Sequence, residues 1–261
     1  MYNHQMISVD RQLVEKVIHV QTSESETIIE LDESIHGVRE VRIKSVEIPF
    51  SWYNVRQDNN CIDFFINGVD YSCQLTPQNY IPGQLATELE SKMNDKYPGF
   101  TVAYHSQKNK FTISHESEPF IIKWGSGAGS DRSARWLFGF TYSDTDSGLS
   151  HDSVNMANLT GENSIYIVSE LIGEQVVNKV LHTYEGLPGL ENVIAKVPIS
   201  VPMMSIAMEK LDCVLLTKKH RTYAIDLKLV FDNGELVDLN GIPWSITLSL
   251  MIDPFSDRED E

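Results

Sequence analysis

Apolar residues recur at every second position in run after run of this chain, and that spacing commits most of it to β-strands. Tyr223, Ile225, Leu227, Leu229 and Phe231 fall on one face of an extended backbone, with Asp226 and Lys228 on the other. Trp244, Ile246, Leu248, Leu250 and Ile252 repeat the pattern against Ser245, Thr247 and Ser249. Between them stand Asp232-Asn233-Gly234 and Asn240-Gly241, residues able to adopt positive φ, so loop chemistry joins the two runs. Two long antiparallel strands are therefore expected to close the chain. Residues 164–172 and 192–199 are rich in β-branched side chains and bounded by Gly161, Gly173, Gly189 and Pro202, which makes both strands. Near the start, 16–20 and 27–31 flank the polar Ser23-Glu24-Ser25-Glu26. The run 38–50 then alternates but changes phase, with Val41 and Ile43 on one face and Val46, Ile48 and Phe50 on the other. A β-bulge, or a strand passing between two sheets, produces such a flip.

Residues 57–147 have a different character. Short strands are expected at 61–66, 69–75, 101–104, 110–114 and 120–123, with Asn67-Gly68 as a hairpin turn. One helix interrupts them: Pro82 suits a first helical position, Leu85, Leu89 and Met93 share a face, and Pro98-Gly99 ends it. The glycine-rich 125–130 segment and Trp136-Leu137-Phe138-Gly139-Phe140 follow. The expected fold class is mainly β: a sandwich made of 1–56 and 148–261, with a small α+β domain inserted at 57–147.

The 261 residues suffice for one large domain or two smaller ones, and the net charge of −16 leaves no basic stripe for phosphates. Direct nucleic-acid binding is not expected. The densest basic cluster, Lys218-Lys219-His220-Arg221, reads as a solvated turn or strand start, and the acidic end from Asp253 to Glu261 as a frayed terminus. No apolar run approaches the ~20 residues of a membrane helix. The opening Met1-Tyr2-Asn3-His4-Gln5-Met6 lacks the pattern of a secretory signal, so synthesis inside the cell is expected.

Chemistry-bearing motifs are sparse. Cys61, Cys73 and Cys213 have neither the number nor the spacing of a disulfide or zinc framework and read as packing residues. His4, His19, His36, His105, His115, His151, His182 and His220 are scattered singly, so no metal site is expected. Asp144-Thr145-Asp146-Ser147-Gly148 opens like a calcium loop but lacks the closing glutamate. Segment 125–130 lacks the Lys-Ser/Thr of a phosphate-binding loop and reads as a flexible linker. Asn158-Leu159-Thr160 reads as a turn. With no nucleophile elbow or singled-out carboxylate pair, the expectation is a chain with no catalytic, cofactor-binding or metal residues and no cofactor.

Three stretches resemble a known family. Ile48-Pro49-Phe50-Ser51-Trp52-Tyr53-Asn54-Val55, followed by Asn59-Asn60, is similar to the "IP-x-S-W-Y-N" segment of penton and minor capsid proteins of virophages, Polinton-like viruses and some giant DNA viruses. Asn79-Tyr80-Ile81-Pro82-Gly83-Gln84-Leu85, with Phe111-Thr112-Ile113-Ser114 and Leu137-Phe138-Gly139-Phe140, is the second. The third is Leu227-Lys228-Leu229-Val230-Phe231-Asp232-Asn233-Gly234, leading through Asn240-Gly241 to Trp244-Ser245-Ile246-Thr247-Leu248.

The resemblance implies a single jelly roll of about eight strands and a structural, non-enzymatic role. Major capsid proteins of the lineage carry two jelly rolls, so it further implies the vertex position, a homo-pentamer seated against the major capsid protein in the virion. The insertion would point outward, toward a host receptor or a second virion protein. A tail, fibre or baseplate element is the alternative, because the middle run also occurs in such parts, and a carbohydrate-binding β-sandwich is a more remote one. Trp52, Tyr53, Phe231 and Trp244 are expected in the sandwich core, and Asn54, Asn59 and Asn60 in a turn where the chain leaves it.

Overall fold

The computed structural model describes residues 13–173, 182–184, 187–209 and 213–255. In chain order its elements are β1 (Val14–Thr22), β2 (Glu26–Pro49), β3 (Cys61–Ile66), β4 (Val69–Gln74), α1 (Pro82–Asn94), β5 (Phe100–His105), β6 (Lys110–His115), β7 (Phe120–Ile122), α2 (Arg135–Phe138) and β8 (Ser150–Asp152). There follow β9 (Ser164–Val168), α3 (Glu170–Gly173), β10 (His182–Tyr184), β11 (Leu187–Leu190), β12 (Val193–Pro198), β13 (Ile206–Glu209), β14 (Cys213–Val230) and β15 (Trp244–Ile252). The chain is mainly β. Its contacts divide it into a sheet unit, Met1–Trp52 with Glu162–Glu261, and a middle unit, Tyr53–Gly161.

The sheet unit is built on an antiparallel sheet in the order β1-β15-β2-β14-β9-β12, with β13 beside the end of β2 and β10-β11 as a separate pair. Two long strands carry it around a single core. The second half of β2 pairs with β15 and with the start of β14, whereas its first half, Glu26 to Glu30, pairs with the end of β14, Ala224 to Lys228. Val41, Ile43, Val46 and Ile48 from the first region join Ile225, Leu227 and Leu229 of β14 and Ile165 and Ile167 of β9 in one cluster. That closure is the β-sandwich the alternation leads one to expect. Trp52, Phe231, Trp244 and Leu248 all lie in this core, whereas Tyr53 is exposed.

The phase change in 38–50 is a bulge. Thr247 stands opposite Ser45 and Leu248 opposite Ile43, so Lys44 is the extra residue, and Val41, Ile43, Val46 and Ile48 are all buried on one side. Other expectations need correction. β14 and β15 do not run antiparallel to each other; β2 lies between them and is antiparallel to both. Strand β9 stops at Val168, where α3 begins. Tyr223 is exposed, because the register of β14 on β2 slips between Thr222 and Ala224. Asp226 is buried: its carboxylate accepts from Ser169 Oγ (2.8 Å) and from the Glu170 and Leu171 amides (2.7 and 2.9 Å), serving the first turn of α3. Asp253 is buried as well and pairs with Arg39 at 3.1 Å; residues 256–261 lie outside the described ones.

The middle unit has two small sheets, β4-β3-β7 and β5-β6-β8, and a helix over its own core. Asn67 (φ 49°) and Gly68 (φ 79°) turn the β3–β4 hairpin, as the pair predicts. Helix α1 starts at Pro82 and buries Leu85, Leu89 and Met93 completely. These three share a cluster with Phe111 and Ile113 of β6, and each such burial contributes about 1.5–3 kcal/mol. Asn94 ends the helix by accepting from the Gly99 and Phe100 amides at 2.8 and 2.9 Å. The unit runs to Gly161, beyond the expected return at residue 148, because β8 pairs with β6 and because Ala157 and Leu159 pack on the core.

Candidate functional site

Several asparagine and histidine side chains of the middle unit tie its own backbone together. Asn54 donates from Nδ2 to the Tyr80 carbonyl (2.9 Å) and accepts the Tyr80 amide at Oδ1 (3.0 Å). Asn59 accepts the Arg56 amide, and Asn60 donates to the Leu75 carbonyl. The three asparagines thus hold the turn following Tyr53. His115 is buried, its Nε2 2.9 Å from the Pro98 carbonyl and its Nδ1 accepting the Glu118 amide at 2.9 Å, which makes it a structural tie. Asn158 accepts the amide and hydroxyl of Thr160 in an Asx turn.

The glycine-rich segment 125–130 is not a free linker. The Gly129 amide donates to buried Asp63 at 2.7 Å. A Cβ on Gly127 would stand 2.1 Å from Asp63 Oδ2, and one on Gly129 would stand 2.1 Å from Cys61 Sγ. Asp144, the first residue of the calcium-like stretch, accepts the Gly125 and Ser126 amides (2.8 and 3.2 Å) and the Ser126 hydroxyl. Partial burial pushes its carboxyl up, but these bonds outweigh it and hold the group below its ordinary value. The segment is therefore packed and tied at both ends, an outcome composition cannot report.

Glu88 behaves likewise: burial raises it, yet hydrogen bonds from the Thr76 amide and hydroxyl, with Lys92 nearby, keep it low. The open groove of about 490 Å³ beside it is lined by Gln78, Asn79, Tyr80, Gln84, Thr87, Glu88 and Ser91. Much of that lining is engaged locally: Asn79 accepts the Asn54 amide, Gln84 the Ile81 amide, and the Thr87 hydroxyl donates to the Gly83 carbonyl. Cys73 is buried and its thiol is pushed up to about 12 by desolvation, and burial also raises Cys61, so both are packing residues. Among the described residues no three His, Cys, Asp or Glu side chains come together as a metal site requires, and no helix is long and apolar enough to cross a membrane. The side chains of Cys213 and of the run 218–221 lie outside the described ones; the backbone of that run belongs to β14.

Among the described residues apolar side chains are exposed at several places, including one surface in each unit. In the sheet unit, Ala207 and Leu215 point inward, and the positions beside them, Ile206, Met208, Val214 and Leu216, are apolar yet exposed, up to 68% at Met208. These four lie on β13 and the start of β14, side by side along β2. In the middle unit, Trp136 (55% exposed) and Tyr142 (60%) flank the Arg135 guanidinium, which lies 5.2 and 4.8 Å from their ring centres. Neither surface was singled out from sequence. Hydrophobicity alone does not say which way each of these residues faces.

No protein-family model matches the sequence, and no curated protein matches it. Among solved structures the chain is similar to the mavirus penton protein, with a TM-score of 0.47 and 10% identity over 92% of this chain and 99% of that one. A more distant likeness is to the D1-D2-D3 domains of the flagellar cap protein FliD from Escherichia coli: TM-score 0.22, 10% identity, 84% of this chain and 57% of that one.

Proposed function

We propose that the chain is a structural virion protein: a penton or minor capsid protein that forms the five-fold vertices of an icosahedral double-stranded DNA virus capsid. The reading is supported by the three resembling stretches and carried by one observation, the apolar row Ile206, Met208, Val214 and Leu216 on the outer side of the sheet unit. Exposed apolar side chains grouped on one surface mark a place where another protein binds. A ring in which each copy presents different surfaces to its two neighbours closes without a free end, and a pentamer is such a ring. The chain makes and breaks no bond in this role; it works by burying surface against copies of itself and against the major capsid protein of the same virion. The sandwich would be a single jelly roll, and the middle unit would project from the vertex.

Native mass measurement of the purified chain tests the reading, with co-expressed major capsid protein as the second arm. The expected result is a five-chain species, or a monomer that is taken up at particle vertices, and Met208→Glu should weaken either. A stable trimer, or exclusion from particles, would overturn the vertex assignment.

A further inference from the structure

In the part of the sheet unit formed by β1, β15, the second half of β2, β13 and the start of β14, exposed apolar side chains stand at two opposite edges. Val17 of β1 stands opposite Ser249, Ser249 opposite Arg42 and Arg42 opposite Val214, so Val17 and Val214 are the two ends of one cross-strand row. Between these ends the outer face is polar and its side chains engage one another. Arg42 bonds Glu40 at 2.7 Å and Lys44 reaches Glu15 at 3.0 Å. The Ser249 hydroxyl donates to Glu15 at 2.6 Å and the Ser245 hydroxyl to Glu47 at 3.2 Å. The exposed apolar side chains are Val14 (52%) and Val17 (58%) at the β1 edge, and the row Ile206, Met208, Val214 and Leu216 at the other.

The charges beside the two edges are of opposite sign. Leu216 stands opposite Glu40 and His220 opposite Val38, so β14 spends three residues, 217–219, against one of β2. Lys218 and Lys219 fall in that bulge, next along the strand from the apolar row, and residues 217–221 hold no carboxylate. On β2 the pairs Thr222–Ile35 and Ala224–Glu30 leave four residues, 31–34, against Tyr223 alone, and this second bulge holds the exposed Asp32 and Glu33. Glu33 lies 3.7 Å from Lys16, which places the acidic bulge beside β1. Residues 23–34 carry five carboxylates and no Lys or Arg. Either edge set against its own counterpart would bring like charges together, whereas one edge set on the other edge of a second copy pairs them. The edge strands also run in opposite directions, since β1 is antiparallel to β15, β15 to β2, and β2 to β13 and β14. The antiparallel order therefore continues from copy to copy when each is turned by the same rotation.

We propose that the β13–β14 edge of one copy docks on the β1 edge of the next, its apolar row covering Val14 and Val17 while the basic bulge meets the acidic one. This contact rests on the vertex reading and deepens it, by naming the surface of the neighbour that covers the row. Head-to-tail repetition of this one contact closes a ring without a second kind of interface.

Cysteine cross-linking of the full chain tests it. In a Cys213→Ser background, where Cys61 and Cys73 are buried, Val17→Cys and Val214→Cys are made singly and together and treated with a short bis-maleimide. The reaction is run on the purified chain and on particles formed with co-expressed major capsid protein. Only the chain carrying both cysteines should give a ladder of covalent species, and the ladder should end at five. Covalent dimers from either single variant would overturn the proposal, because an edge then meets itself. A cross-link to the major capsid protein instead, or no ladder in either preparation, would overturn it too. A ladder ending at another number would keep the edge contact and sink the vertex reading; a five-chain species by native mass without a ladder would spare the vertex reading and remove this contact. Charge reversal is the second measurement. Lys218→Glu/Lys219→Glu and Asp32→Lys/Glu33→Lys should each weaken association, or uptake into particles, by about tenfold or more, with circular dichroism unchanged. Mixing the two reversed chains should restore it, which an ion pair within one copy cannot do. Failure of the mixture overturns the pairing of the two bulges.

Discussion

The two units solve the same problem with opposite means. The sheet unit joins the ends of the chain: Val14 to Thr22 pair with Trp244 to Ile252, and the 24-residue β2 pairs along the 18-residue β14. Its core is mostly Val, Ile and Leu. The middle unit uses strands of three to six residues, pairs sequence neighbours such as β3 with β4 and β5 with β6, and draws more of its core from aromatic rings than the sheet unit does. Phe100 alone packs edge-on against Phe64, His115 and Phe120. Long strands gain facing area from repetition, so aliphatic side chains suffice; short ones must take more buried area from each residue, and aromatics supply it. Local pairing also closes short loops first, so the middle unit should form faster than the sheet unit, which waits for both chain ends.

The largest test of that division is Leu89→Asp. It places a carboxylate in the middle core and should cost roughly 5 kcal/mol there. Limited proteolysis should then open the middle unit while the sheet signal in circular dichroism persists; a single loss of both would mean the units are one cooperative body. Trp244→Ala is the reciprocal test, expected to cost about 4 kcal/mol in the sheet unit. Its Nε1 donates to the Glu24 carbonyl at 2.9 Å, so the substitution also frees the β1–β2 turn. Labelling of Cys61 and Cys73, followed in a Cys213→Ser background, should stay slow in that variant, since both thiols report on the middle unit.

Gly129→Ala should have a smaller effect, about 1–3 kcal/mol, by driving a methyl group into Cys61. The expected signature is faster Cys61 labelling with sheet-unit stability unchanged; normal labelling would show that the glycine-rich segment can move aside.

Acid should produce the smallest effect. Asp144 and Glu88 have folded-state values below their ordinary ones, so their contribution is present above the ordinary carboxylate value and is lost as pH falls through the folded one. Near-UV circular dichroism of the middle unit should therefore decline below about pH 4, with a shallower slope in Asp144→Asn. Glu15 in the sheet unit is lowered chiefly by the Ser249 hydroxyl and by Lys44, but it is open to solvent, and salt should weaken its response first. Equal salt sensitivity in the two units would remove this distinction.

Local patterns fixed much of this protein. Alternation located the long strands; Asn67-Gly68, Pro82 and the Leu85-Leu89-Met93 spacing marked a hairpin and a helix; the phase change in 38–50 left a bulge or a crossing strand, which the pairing at Lys44 decides as a bulge. Each is decided within a few residues by backbone sterics or by which face a side chain takes. Only the tertiary structure decided that β2 lies between β14 and β15, because alternation names a face and not a neighbour. Asp226 reads as a solvated strand residue until Ser169, Glu170 and Leu171 arrive from a distant part of the chain with the donors that make its burial stable. Segment 125–130 reads as a linker until Asp63, Cys61 and Tyr142 occupy the space its missing side chains leave. Trp136 and Met208 show the same limit: hydrophobicity says that a side chain benefits from cover, and only the tertiary structure shows that both stand exposed among the described residues.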